Sequence, residues 1–191
     1  SDYKLQAINA NILNDQRFLQ ENRVSETGAR LQATYALNDQ QDLTIGSGVI
    51  ETKVSNLDDV DKPLVRILIA EVVRTASVFG QYQWQSKNQH SLLSTGLRYN
   101  YLEKFNESIL EPRFRFSQKF LDYFSAEIAG EMKHQITSQI INFQNDFLGI
   151  EKRRWQLAND TTIPITKSKQ FSAGINFSKM GWLINIVLQK H

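Results

Sequence analysis

The side chains best equipped for chemistry sit in one stretch. "EKRRW" (Glu151–Trp155) carries two arginines and a tryptophan, and Phe143 and Phe147 stand just before it. An aromatic face stacks on a sugar or chelate ring, and a guanidinium pairs with carboxylates. All of them fall in Thr137–Ser168, a connection of more than 30 residues. Plain connections rarely exceed about 12–15 residues, so this one is either functional or disordered. The expected ligand-binding residues are Phe147, Arg153, Arg154 and Trp155. A second role is open: "IINF" (Ile140–Phe143) and Trp155 can form a small apolar core that keeps the loop compact. Phe143 suits that role better, and Trp155 suits both.

Other chemistry is poorly provided for. The three histidines, His90, His134 and His191, have no second histidine or carboxylate at metal-ligand spacing, so no metal is expected. Cysteine is absent, which removes disulfides, thiolate metal sites and thiol nucleophiles. His134 lies at the end of a strand pattern and Asp146 in the loop after it, but spacing alone does not join them. The expectation is a protein without enzymatic activity. "TIGSGV" (Thr44–Val49) contains Gly-x-Gly inside a strand pattern with no helix after it, so neither a phosphate loop nor a cofactor is expected. Lys+Arg 22 against Asp+Glu 20 gives a net charge of +2, with the basic residues scattered, which argues against nucleic acid as a partner.

What positions these residues is a series of period-two segments. From Val72 to Gln85 the even positions include Val72, Ala76, Val78, Tyr82 and Trp84, and the odd ones Thr75, Ser77, Gln81 and Gln83. Arg74 and Phe79 break the pattern. After "SKNQ" (Ser86–Gln89), Leu93, Leu97, Tyr99 and Tyr101 alternate with Ser94, Gly96, Arg98 and Asn100. The pattern returns at Ala29–Leu37, Leu43–Val49, Arg113–Ser117, Phe124–Lys133, Phe171–Ser178 and Trp182–Gln189. With Tyr3–Leu13, about nine strands are predicted, and helix signals are weak throughout.

The predicted connections alternate in length. Asn14–Asn22, Val54–Arg66, Glu103–Ser108 and Thr137–Ser168 are the longer ones; Asn38–Gln41, Ser86–Gln89, Leu121–Tyr123 and Lys179–Gly181 are short. Outer-membrane barrels place tight turns at one end and long loops at the other, and their strands need about 9–11 residues to cross. Tyr82, Trp84 and Trp182 flank the short turns, as interfacial aromatics do. Hydropathy is silent on this point, because barrel strands are apolar on one face only. Two architectures fit: a soluble sandwich or barrel that binds a small ligand, and a transmembrane barrel with a wet lumen. A small outer-membrane enzyme or porin would need an even strand count. Nine is odd, and "IVLQKH" lacks a terminal aromatic. The expected fold is therefore all-β, an antiparallel up-and-down meander forming part of a large transmembrane β-barrel, with residues 1–191 as a partial barrel domain and 137–168 as a long extracellular loop.

At "LEPRFRFSQKF" (Leu110–Phe120) the chain resembles the barrel of TonB-dependent outer-membrane receptors of the Bacteroidetes type. The matching elements are the Pro112–Arg113 strand opening, the tight turn Leu121–Tyr123, the His134–Gln135 step, Trp155 in the long loop, and the strand entry "SKQFSAGI" (Ser168–Ile175). The likeness covers about Ser77–Leu188 and is looser before it. It implies a barrel of about 22 strands around a plug. It further implies energy from TonB and uptake of a siderophore, vitamin or glycan-type nutrient. The implied partners are outer-membrane lipid, the plug and TonB system, and a small-molecule or glycan substrate; the implied location is the outer membrane. Arg30, Arg98, Arg113, Arg115, Glu127 and Glu131 would then face the lumen.

Overall fold

Alternation in the sequence becomes pairing in space. The computed structural model describes residues 1–11, 15–142, 152–159 and 162–190. Nine strands form one antiparallel sheet, each hydrogen-bonded to the one before it: β1 (Asp2–Asn11), β2 (Gln16–Asn38), β3 (Gln41–Val60), β4 (Val65–Gln85), β5 (Ser91–Leu102), β6 (Glu107–Lys119), β7 (Phe124–Gln135), β10 (Thr166–Lys179) and β11 (Trp182–Lys190). Between β7 and β10 lies a separate hairpin, β8 (Thr137–Asn142) with β9 (Lys152–Leu157). A single 3₁₀ turn, Glu103–Phe105, is the only helical element among the described residues. The fold is an all-β open meander, as the period-two pattern predicts.

The two faces of the sheet differ sharply. On the first face Leu31, Ile45, Val78, Leu97, Ile128, Ile175 and Ile186 are exposed. Every buried residue of the nine strands lies on the other face: Asn22, Thr52, Val54, Val73, Phe79, Asn100, Leu102 and Ile109. Among the described residues, the apolar face thus covers nothing. Toward the short turns it ends in aromatics: Tyr82, Trp84, Phe124, Phe177 and Trp182. The Phe124 and Phe177 rings are 4.8 Å apart, with Tyr123 set edge-on to both. Toward the other end Arg74 interrupts it, its Nε donating to Glu51 at 2.8 Å and its Nη1 lying 3.9 Å from Glu103, and beyond it Val72 and Leu68 are again apolar and exposed on this face. From Ala76 to Trp84 the apolar stretch rises about 20 Å once strand tilt is included.

Two predicted connections are corrected. Asn14–Asn22 and Val54–Arg66 are mostly strand: β2 begins at Gln16, β3 runs to Val60, and β4 starts at Val65. These strands have 23, 20 and 21 residues and project beyond the apolar belt. Beyond the belt neither face has to be apolar. "NLDDV" therefore pairs as a strand without alternating, in register with Gln16–Asn22 and Val65–Ile69. Thr137–Ser168 is likewise no plain loop, since it holds the β8–β9 hairpin and the first residues of β10. The last turn is a two-residue loop. Met180 and Gly181 both have positive φ (51° and 83°), the conformation a two-residue hairpin loop needs, and glycine adopts it without steric cost.

Candidate site on the concave face

The face opposite the apolar belt is polar and carries every residue predicted to face a lumen. Across β4, β5 and β6, Gln81, Gly96 and Arg113 stand in one cross-strand row. Glycine at the centre lets the Arg113 side chain lie over β5: a Cβ on Gly96 would be 3.0 Å from the guanidine Nε. Arg113 then donates to Gln81 Oε1 at 2.7 Å. Arg115 donates to Glu127 at 2.7 Å, and Glu131 pairs with Lys133 at 2.7 Å. Gln81, Arg113, Arg115, Glu127 and Glu131, with Gln170, line a hollow of about 480 Å³.

Next to the hollow sits Phe79, the aromatic that broke the polar pattern. Its ring covers Gly46, where any Cβ would collide with it, and is itself only 6 % exposed. Arg30 and Arg98 place their guanidinium carbons 4.5 and 5.2 Å from the ring centroid. The exception is therefore structural: Phe79 supplies a π face for two arginines across the four neighbouring strands β2 to β5. Glu111, on β6, binds elsewhere. Its carboxylate accepts from Asn100 Nδ2 at 2.9 Å and from the His134 backbone N–H at 2.8 Å, and lies 2.7 Å from His134 Nδ1. The His134 side chain is thus committed to a structural carboxylate.

Above the belt, the β8–β9 hairpin packs on the projecting strands, on the face opposite the apolar belt. Leu157 is buried with Val54 and Val73, and Val24, Phe105, Ile136 and Trp155 pack around them. Trp155 therefore contributes to a small core with residues of β2, β3, β4 and its own strand. Its backbone carbonyl accepts from Asn22 Nδ2 at 3.4 Å and from Asn56 Nδ2 at 3.3 Å. Arg153 and Arg154 stand in β9 opposite Ile141 and Ile140. Phe147, Phe143 and Asp146 lie outside the described residues. Outside the belt, Arg23 grips Asp2 with two hydrogen bonds, 3.0 and 2.6 Å, and these hold the Asp2 carboxyl below its ordinary range. The hydrogen bond that Arg74 donates to Glu51 likewise raises the guanidinium's affinity for its proton.

Sequence reasoning did not find the Asn22–Asn56 pair or the Glu111–His134 contact. Neither has a signature in spacing, since the partners come from different strands. No metal-binding cluster of three or more suitable side chains occurs among the described residues.

No protein-family model matches the chain. No curated protein matches it either. Among solved structures, it is similar to a chain of the RagAB peptide transporter, with a TM-score of 0.55 and 8 % identity. The match covers 91 % of this chain and 24 % of the transporter chain, so this sequence spans about a quarter of that protein's length. At that identity the likeness speaks for the fold, a β-rich architecture found in a transport protein.

Proposed function

We propose that this chain is a wall segment of an outer-membrane TonB-dependent receptor, contributing lumen surface and the rim above it to nutrient uptake. The observation that carries the reading is the inverted burial. A soluble sheet places its apolar face in a core, whereas here, among the described residues, the apolar face covers nothing and the polar face holds the buried residues of the nine strands. Lipid is the environment that such a face fits, with aromatics at one border and the Arg74–Glu51 pair at the other. The transporter likeness and the strand-entry motifs point the same way.

On this reading the protein is not an enzyme. Arg30, Arg98, Arg113, Arg115, Glu127 and Glu131 form a hydrated wall that contacts a plug, and TonB supplies the energy. The substrate is a siderophore, vitamin or glycan-type nutrient, and the transporter neighbour adds peptides to that range. The test is an antibody against this segment, applied to outer-membrane fractions on boiled and unboiled gels. A heat-modifiable band several times larger than 22.0 kDa is expected. A soluble band at 22.0 kDa would overturn the reading and favour a self-contained ligand-binding β protein.

A further inference from the structure

We infer that the paired amides of Asn22 and Asn56, with Gln20 beside them, form a binding surface for the main chain of an extended peptide, and that β9 of the same chain occupies it in this structure. Asn22 and Asn56 face each other across β2 and β3, hydrogen-bond to each other, and both donate to one backbone carbonyl, that of Trp155. The surface therefore already binds an extended backbone by a peptide group. It does so incompletely. Asn22 is 2 % exposed, yet its Oδ1 accepts from nothing among the described residues, and the Gln20 Nε2 is likewise buried without an acceptor. A buried acceptor and a buried donor, left over beside an amide pair, are what another peptide group satisfies with its N–H and C=O.

Spacing and charge select the occupant. Gln20 and Asn22 are two positions apart on one face of β2, which is about 6.7 Å. Peptide groups facing the same way along an extended chain repeat at that same distance. The amides carry no charge, so they match a neutral peptide group and offer an anion no countercharge. β9 is held there by an independent anchor, Leu157, which is 1 % exposed against Val54 and Val73. The hairpin thus acts as an internal competitor that an incoming peptide displaces. This geometry does not depend on the chain lying in a membrane, so the gel experiment and the one below fail independently.

The test uses the purified full-length protein, titrated calorimetrically with acetyl-tetra-alanine amide and with maltotetraose. Hydrogen exchange is followed over residues 152–157. Tetra-alanine amide should bind and speed exchange in β9, and maltotetraose should not bind at the ladder. Asn22→Ala with Asn56→Ala should weaken peptide binding by about tenfold. Leu157→Ser, which loosens the competitor and leaves the ladder intact, should tighten it by a similar factor. The opposite signs separate a binding role from simple loss of structure. The inference is overturned if the peptide binds neither wild type nor Leu157→Ser, if the Leu157→Ser protein binds more weakly, if the asparagine variants bind unchanged, or if maltotetraose competes.

Discussion

Arg98 and Glu111 stand directly opposite each other across β5 and β6, yet they do not pair. The guanidinium turns to the Phe79 ring, 5.2 Å away, while the carboxylate is taken by Asn100 and His134. Two arginines, Arg30 and Arg98, therefore share a π face and leave their charge directed into the concavity.

That arrangement makes Phe79 replaceable in shape but not in kind. Phe79→Leu keeps most of the cover over Gly46 and removes both cation–π contacts, each worth about 0.5–1 kcal/mol at exposed sites. A loss of about 1–2 kcal/mol is expected in thermal unfolding of the full-length protein. A variant as stable as wild type would show that the two arginines gain nothing from the ring.

Glu111 should behave as a hub. Glu111→Leu strips the acceptor from Asn100, which is 3 % exposed, and from two His134 donors, and each buried group left unpaired costs about 1–3 kcal/mol. Glu111→Gln keeps one acceptor oxygen and should be much milder. Equal melting temperatures for the two variants would remove the hub role and leave Glu111 as a wall residue.

The edge strand β1 should loosen in acid. Arg23 holds the Asp2 carboxyl below its ordinary value of 3.8, so the contact helps the folded state above that pH and is lost as pH falls through the lowered value. Both groups are exposed, so salt should weaken the contact as well. Hydrogen exchange at Tyr3 and Leu5 is expected to rise below pH 3.8 and with added salt. Exchange that ignores both would place the holding force of β1 in its backbone ladder alone.

How much of this was legible depended on where each strand runs. Within the belt one face is apolar and the other wet, and the two-residue alternation at Leu93–Tyr101 or Phe124–Met132 placed the strands and put Arg30, Arg98, Arg113, Arg115, Glu127 and Glu131 on one face. Above the belt that signal disappears. Asn56–Asp59 is polar or mixed on both faces, so the end of β3 and the start of β2 paired with it read as loops where the structure continues their ladder, whereas β4 was legible as a strand from Leu68 onward. The rim site was hidden for another reason. Asn22 and Trp155 are 133 positions apart, and a hydrogen bond from an amide to a backbone carbonyl leaves no pattern in either segment.

The belt itself gives the plainest test. Leu97 is 50 % exposed on the apolar face, paired with Gly80 on one side and Pro112 on the other, while its neighbour Arg98 points into the concavity. If lipid covers the first face, Leu97→Arg puts a charge near the bilayer midplane at a cost of about 2–4 kcal/mol. Arg98→Leu removes a charge from a hydrated wall and one of two cations from the Phe79 ring, a change of about 0.5–1 kcal/mol. The folded, heat-modifiable yield in outer-membrane fractions should fall steeply for Leu97→Arg and little for Arg98→Leu. Similar yields would mean that the apolar face does not meet lipid, and a partner surface would then have to cover Leu31, Ile45, Leu97 and Ile186.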